Sequence, residues 1–259
     1  MRKEVVAGVA LCCVEAFVYL AAQIYLFQIV AGANYAILPG VPWFVIPLAI
    51  SVYLSSAWPV RKWSAWPIFW TPKRGVPALA LILPALLICL AAVVIPGRIL
   101  GLTITTLPVS PHATESLIAS IPIALPVFAA FTEEIGFRGI LQGRLERYLG
   151  PPPAIAVTTV AYVLAHFGTP WFFPEILFYV ALSVECGILA SRARSVLPGI
   201  LLHFAVNAIG IIGPLVWGPI HLRNTPDAVA IPLFFAALLC IWLFRKMTRK
   251  VTGTGEAAI

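Results

Sequence analysis

The sequence predicts an all-α, polytopic membrane protein of about eight transmembrane helices with both termini in the cytoplasm. Three observations carry this prediction. Of the 259 residues, 61% are hydrophobic and 10% charged, whereas a soluble domain carries about 25% charged residues. Apolar runs near the ~20 residues needed for a membrane helix fill almost the whole chain. Between those runs, the basic residues fall on alternate connections, as membrane topology requires.

The runs lie at roughly 5–30, 37–57, 77–96, 116–149, 152–168, 172–190, 196–217 and 228–244. They read as one membrane domain over 1–259, with no soluble domain. The first run is too long for a signal-peptide core and is expected to stay as a helix. The fourth exceeds a bilayer's thickness. Its polar end, Arg138 to Tyr148, is expected to project from the membrane until Gly150 and Pro151 to Pro153 stop it. With the N-terminus inside, alternating spans place fifteen of the 17 basic residues on the cytoplasmic side. Only Arg98 and Arg223 fall outside. A wrong span count would mix the two sets.

The net charge of +7 therefore reflects topology. No aromatic-basic patch suggests nucleic acid as a partner; membrane lipid is the expected one. The loop at 58–75 holds Trp58, Trp63, Trp66 and Trp70, and reads as an interfacial anchor or a contact for a lipidated substrate. Cys12, Cys13, Cys89, Cys186 and Cys240 lie in apolar runs without metal-ligand spacing, and are expected to be buried free thiols.

Ionisable groups inside a bilayer are costly and mark function by default. Glu133 and Glu134 lie in the fourth run, His166 in the fifth, and His203 with Asn207 in the seventh. Glu15 and Glu185 are isolated and read as structural. His112 and His221 fall in outside loops and read as incidental.

Each helical residue advances about 100°, so Glu134 and Arg138, four apart, share a face and can pair. Glu133 and Arg138 are about 140° apart around the axis. Glu133 is thus left pointing elsewhere, available as a base. Two helices folding back at Gly150–Pro153 bring residues level when their numbers sum to about 303, given their equal rise per residue. Glu133 then lies within a turn of His166. His203 and Asn207 share one face of their helix. A carboxylate, two imidazoles and an amide can therefore meet in one pocket, a set suited to water-mediated amide hydrolysis.

Singly, each element has a plain structural reading: a membrane ion pair, or histidines bonding between helices. A zinc site from His166, His203 and Glu133 is the mechanistic rival. Against it, the sequence lacks His-Glu-x-x-His and places Arg138 nearby; no metal or other cofactor is expected. A transporter or a non-proteolytic scaffold is the rival function, given the polar cluster and proline-broken helices. No paired inverted repeats of the transporter type are found.

At these residues the sequence resembles the type II CAAX prenyl endopeptidase and bacteriocin-processing family, also called the CPBP or Abi group. Glu133, Glu134 and Arg138 match its Glu-Glu-x-x-x-Arg motif. Tyr162-Val-Leu-Ala-His166 matches Phe-x-x-x-His, with Tyr for Phe. His203 and Asn207 match His-x-x-x-Asn. The resemblance covers about 118–210, the motif-bearing helices.

It implies a glutamate-type intramembrane endopeptidase. Glu133 and His166 would activate water, His203 and Asn207 would hold the oxyanion, and Glu134 and Arg138 would support the site. Tyr162 and Phe137 become candidates for a substrate pocket. The implied partner is a prenylated CAAX protein or another membrane-associated peptide; some members serve bacteriocin immunity. The expected location is a prokaryotic cell membrane, or the endoplasmic reticulum in a eukaryote. The site would open toward the cytosol and the membrane.

Overall fold

A computed structural model describes residues 3–37, 64–68, 77–104, 126–167 and 172–252. The described chain is mostly helical, as composition predicts. Helix α1 spans Lys3–Ile37 and α2 Ile82–Leu100. A third helical stretch, α3, covers 126–149. There follow α4 (Pro151–Ala165), α5 (Phe172–Ala193), α6 (Leu197–Trp217) and α7 (Asp227–Thr252). The expected second run, 37–57, lies almost wholly outside the described residues. So do 116–125, His112, Trp58, Trp63 and Trp70.

Among the described residues, four helical segments are long and apolar enough to cross a membrane: Val6–Tyr25, Pro77–Leu100, Glu175–Ala193 and Leu197–Pro214. Pro151–Ala165 and Asp227–Trp242 are shorter apolar helices. Phe17, Ile99 and Trp217 are more than 70% exposed, as side chains facing lipid would be.

Local chemistry sets the turns. Gly150 adopts φ 77° and ψ 170° between α3 and α4, a conformation open mainly to glycine. Pro151 to Pro153 follow in the first turn of α4, where their missing N–H groups cost nothing. Arg194, between α5 and α6, has φ 50°. At the opposite end, two short strands form an antiparallel clasp: β1 (Thr103–Ile104) pairs with β2 (Ile220–His221). Arg98 of α2 pairs with Asp227 of α7 at that end. The His221 ring meets the Thr103 hydroxyl at 3.0 Å, so His221 has a part in the clasp.

The centre of α3 departs from the α geometry assumed in the sequence. Glu134–Gln142 is a π helix, and all nine of its residues are buried. The Gly143 N–H bonds to the Arg138 carbonyl, five residues back. π segments are rare and often accompany functional sites. This one frees a carbonyl: Gly139 accepts from the Ala65 N–H at 2.9 Å. Segment 64–68 is thereby held between α3 and the start of α6, where Val196 N–H bonds to the Pro67 carbonyl at 3.2 Å.

Four expectations are corrected here. Arg138 to Tyr148 is not a free projecting helix, since Arg138 and Gln142 are fully buried. Arg138, Gln142 and Glu146 turn toward other helices, whereas Arg147 and Tyr148 are exposed. Trp66 is buried rather than interfacial, with the Arg194 guanidinium 5.8 Å from its ring centre. Glu15 is not isolated; it pairs with Arg144, tying α1 to the end of α3. Cys13 is exposed, whereas the other four thiols are buried as expected, and all five are free.

Candidate active site

The site is built on three helices. Glu133 and Glu134 sit where α3 passes from α to π geometry. His166 caps the C-terminal end of α4. His203 and Asn207 project from α6. Glu133, His166 and His203 come together, while Asn207 lines the adjoining cleft.

Glu134 is the more fully paired of the two carboxylates. Its Oε1 accepts from Arg138 Nη1 at 3.0 Å and meets His203 Nδ1 at 2.9 Å. Both Glu134 and Arg138 are completely buried. A buried charge is tolerated only when paired and hydrogen-bonded. Arg138 therefore has further partners: Nη2 donates to the Ser183 carbonyl at 3.1 Å, and Tyr162 offers its ring face at 4.8 Å. That arrangement is a cation–π contact. Gln142, one turn on, donates to the Gly187 carbonyl at 2.9 Å and to Glu146 at 3.1 Å. Glu146 in turn accepts from Arg194 at 3.3 Å. Gly199 of α6 allows the approach, because a Cβ there would lie 2.7 Å from Glu134 Oε2.

Glu133 faces the other way. Its Oε2 lies 3.9 Å from His166 Nε2 and 3.9 Å from His203 Nε2. It has no hydrogen-bond partner. His166 Nδ1 is 2.8 Å from the Tyr162 carbonyl, which can only accept, so Nδ1 carries the proton. His203 Nδ1 likewise faces Glu134 Oε1, the oxygen that accepts from Arg138, and donates to it. Both imidazoles therefore turn Nε2 toward Glu133. When the rings are neutral, each Nε2 is an acceptor facing another acceptor across a gap too long for a direct bond. A donor between them can serve two of the three atoms, and a water molecule, with its two protons, fits such a gap.

Among the described residues, Phe137 and Tyr162 are on the walls of neither cavity described below. They are 4% and 1% exposed and pack edge-to-face at 5.2 Å. Tyr162 backs the site instead, with its ring 4.6 Å from His166 and 6.3 Å from His203. The open space lies beside them, between α2, α5 and α6. This cleft of about 390 Å³ is mostly apolar and reaches from Tyr179 and Asn207 to the β1–β2 clasp. A separate groove of about 400 Å³ between α2 and α7 lies by Arg98, with none of the motif residues on its walls.

Sequence reasoning passed over Gln142, Glu146, Ser183, Gly199 and Tyr179. For the first two the signal was present: Glu134, Arg138, Gln142 and Glu146 repeat every four residues in an apolar chain. Ser183, Gly199 and Tyr179 act through contacts between helices, which periodicity does not reveal. Among the described residues, no group of three or more His, Cys, Asp or Glu side chains is placed to hold a metal ion.

The architecture defines a class: a helical membrane protein with a buried carboxylate–imidazole site beside an apolar cleft. Within it, residues 114–209 match the family model of the Rce1-like type II CAAX prenyl endopeptidases. The matched segment contains Glu133, Glu134, Arg138, His166, His203 and Asn207. That family is a protease family, which supports a hydrolase acting in the membrane on a membrane-associated peptide. No curated protein and no solved structure matched the chain.

Proposed function

We propose that this protein is an intramembrane endopeptidase that hydrolyses a peptide bond with water activated by Glu133. The observation that supports this most is the gap between Glu133 Oε2 and the two Nε2 atoms, 3.9 Å on each side. On this reading, water donates to Glu133 and His166. Glu133 takes a proton as the water oxygen adds to the scissile carbonyl carbon. The oxyanion is met by the Asn207 amide and, when its ring is protonated, by His203 Nε2. The carbon–nitrogen bond then breaks, and the departing amine takes the proton from Glu133. Base catalysis of this kind contributes about 10²- to 10⁴-fold. An oxyanion donor contributes about 10²- to 10³-fold.

The substrate on this reading is a lipidated or otherwise membrane-associated peptide, with a prenylated CAAX protein as the first candidate. The test is incubation of purified protein with prenylated and unprenylated CAAX peptides, identifying products by mass. Cleavage by the wild type and none by Glu133→Gln is expected. Equal biological activity of both proteins without cleavage would favour a scaffold.

On this reading the topology follows the positive-inside rule. Arg144, Arg147 and Arg194 lie at the Gly150 end, and Arg98 and Arg223 at the clasp end, as positive-inside alternation requires. The cleft lies on the clasp half, while the π segment toward Gly150 is wholly buried.

A further inference from the structure

His166 is the C-cap residue of α4, one position past Ala165. Two tyrosine rings flank its imidazole, with their centroids 6.4 Å apart, so they meet it roughly at right angles to each other. Tyr162, four residues earlier on α4, packs against one side, with centroids 4.6 Å apart and planes inclined at 41°. Tyr179 comes from α5 and stacks at 4.5 Å with planes only 28° apart. The Tyr179 hydroxyl donates to Glu175 Oε2 at 3.3 Å, one turn back on α5. Tyr179 is 9% exposed, and both it and Glu175 line the cleft beside Asn207.

We propose that Tyr179 is a positioning residue for the proposed hydrolysis. It holds the His166 ring so that Nε2 faces Glu133, and Glu175 anchors Tyr179. The reasoning is geometric. Nδ1 of His166 is 2.8 Å from the Tyr162 carbonyl. A ring stacked on the imidazole at 4.5 Å limits its tilt about that hydrogen bond, because tilting would drive one ring into the other. A 1 Å misplacement of a reacting group can cost about 10²-fold in rate.

The inference rests on the peptidase reading. The test uses full-length protein in detergent, with kcat, KM and melting temperature measured for a peptide cleaved by the wild type. Tyr179→Leu removes the ring and is expected to lower kcat by about 10²-fold with little change in KM. Tyr179→Phe keeps the ring and should recover at least about tenfold of that loss, as expected if the ring does most of the positioning. Tyr179→Phe and Glu175→Ala delete the same hydrogen bond. Each should lower kcat severalfold, and the double variant no further, the pattern of a coupled pair.

A rise in KM with kcat intact would overturn the proposal, making Tyr179 a wall of the cleft only. Additive losses in the double variant would overturn the Glu175 anchor. Should Tyr179→Leu fail to fold, the Tyr179→Phe and Glu175→Ala cycle still decides. A wild type no faster than Glu133→Gln would refute the peptidase reading, and this inference with it.

Discussion

The two adjacent glutamates should fail in different ways when neutralised. Glu134→Gln removes a charge that faces both Arg138 Nη1 at 3.0 Å and His203 Nδ1 at 2.9 Å. Arg138 would remain completely buried without its counter-charge. Breaking a buried pair from one side costs about 3–5 kcal/mol. The fixed Nδ1 proton of His203 would also lose its ionic acceptor. Glu133→Gln differs, because Glu133 Oε2 has no hydrogen-bond partner and the side chain is 24% exposed. Its neutral isostere should fold normally and lose about 10²- to 10⁴-fold in turnover. Replacing Glu134 and Arg138 together with neutral residues should restore part of the lost stability but not the activity. Melting temperature in detergent and single-turnover cleavage, measured for all four proteins, check this. Near-normal turnover of Glu133→Gln, with Glu134→Gln inactive yet fully stable, would refute the division of roles.

Three further outcomes are expected. Gly199→Ala places a Cβ 2.7 Å from Glu134 Oε2 and should lower both melting temperature and kcat, whereas Gly210→Ala, with open space around it, should change neither. Asn207→Ala should lower kcat by about 10²- to 10³-fold, the usual loss of an oxyanion donor, while a circular-dichroism melt stays unchanged. Chelator-washed protein should keep its activity; loss on chelation and return with zinc would replace the glutamate mechanism with a metal one. Labelling of Thr103→Cys and Arg194→Cys from one side of sealed vesicles should modify only one of them, and a cytoplasmic C-terminal reporter should accompany a cytoplasmic Arg194.

Much of the site could be read before any coordinates. The four-residue spacing of Glu134 and Arg138 paired them, and the pairing survived the change from α to π geometry. The hairpin register about Gly150 placed Glu133 near His166, a contact the structure gives at 3.9 Å. What the sequence concealed depended on which way polar residues turn. In water, the run from Arg138 to Tyr148 would be an exposed helix end; in a membrane bundle its polar face turns inward to other helices. Hence Gln142 and Glu146 find partners on α5 and beyond, and Arg144 finds Glu15 on α1. Trp66 was misplaced for a related reason. Its aromatic-rich, basic loop looks interfacial, but hydrogen bonds to the Gly139 carbonyl and from the Val196 N–H draw segment 64–68 into the bundle. The π segment itself had no visible signal beyond Gly136, Gly139 and Gly143.

The central claim is that Glu133 activates water and is not itself the nucleophile. The most direct measurement is one turnover in heavy-oxygen water, with enzyme in excess and the product's new C-terminus analysed by mass. Direct attack by water predicts one heavy oxygen in that carboxyl group from the first turnover, and no detectable product with Glu133→Gln. An unlabelled first-turnover product, with heavy oxygen appearing in the Glu133 carboxyl group, would show a covalent acyl intermediate and contradict the account.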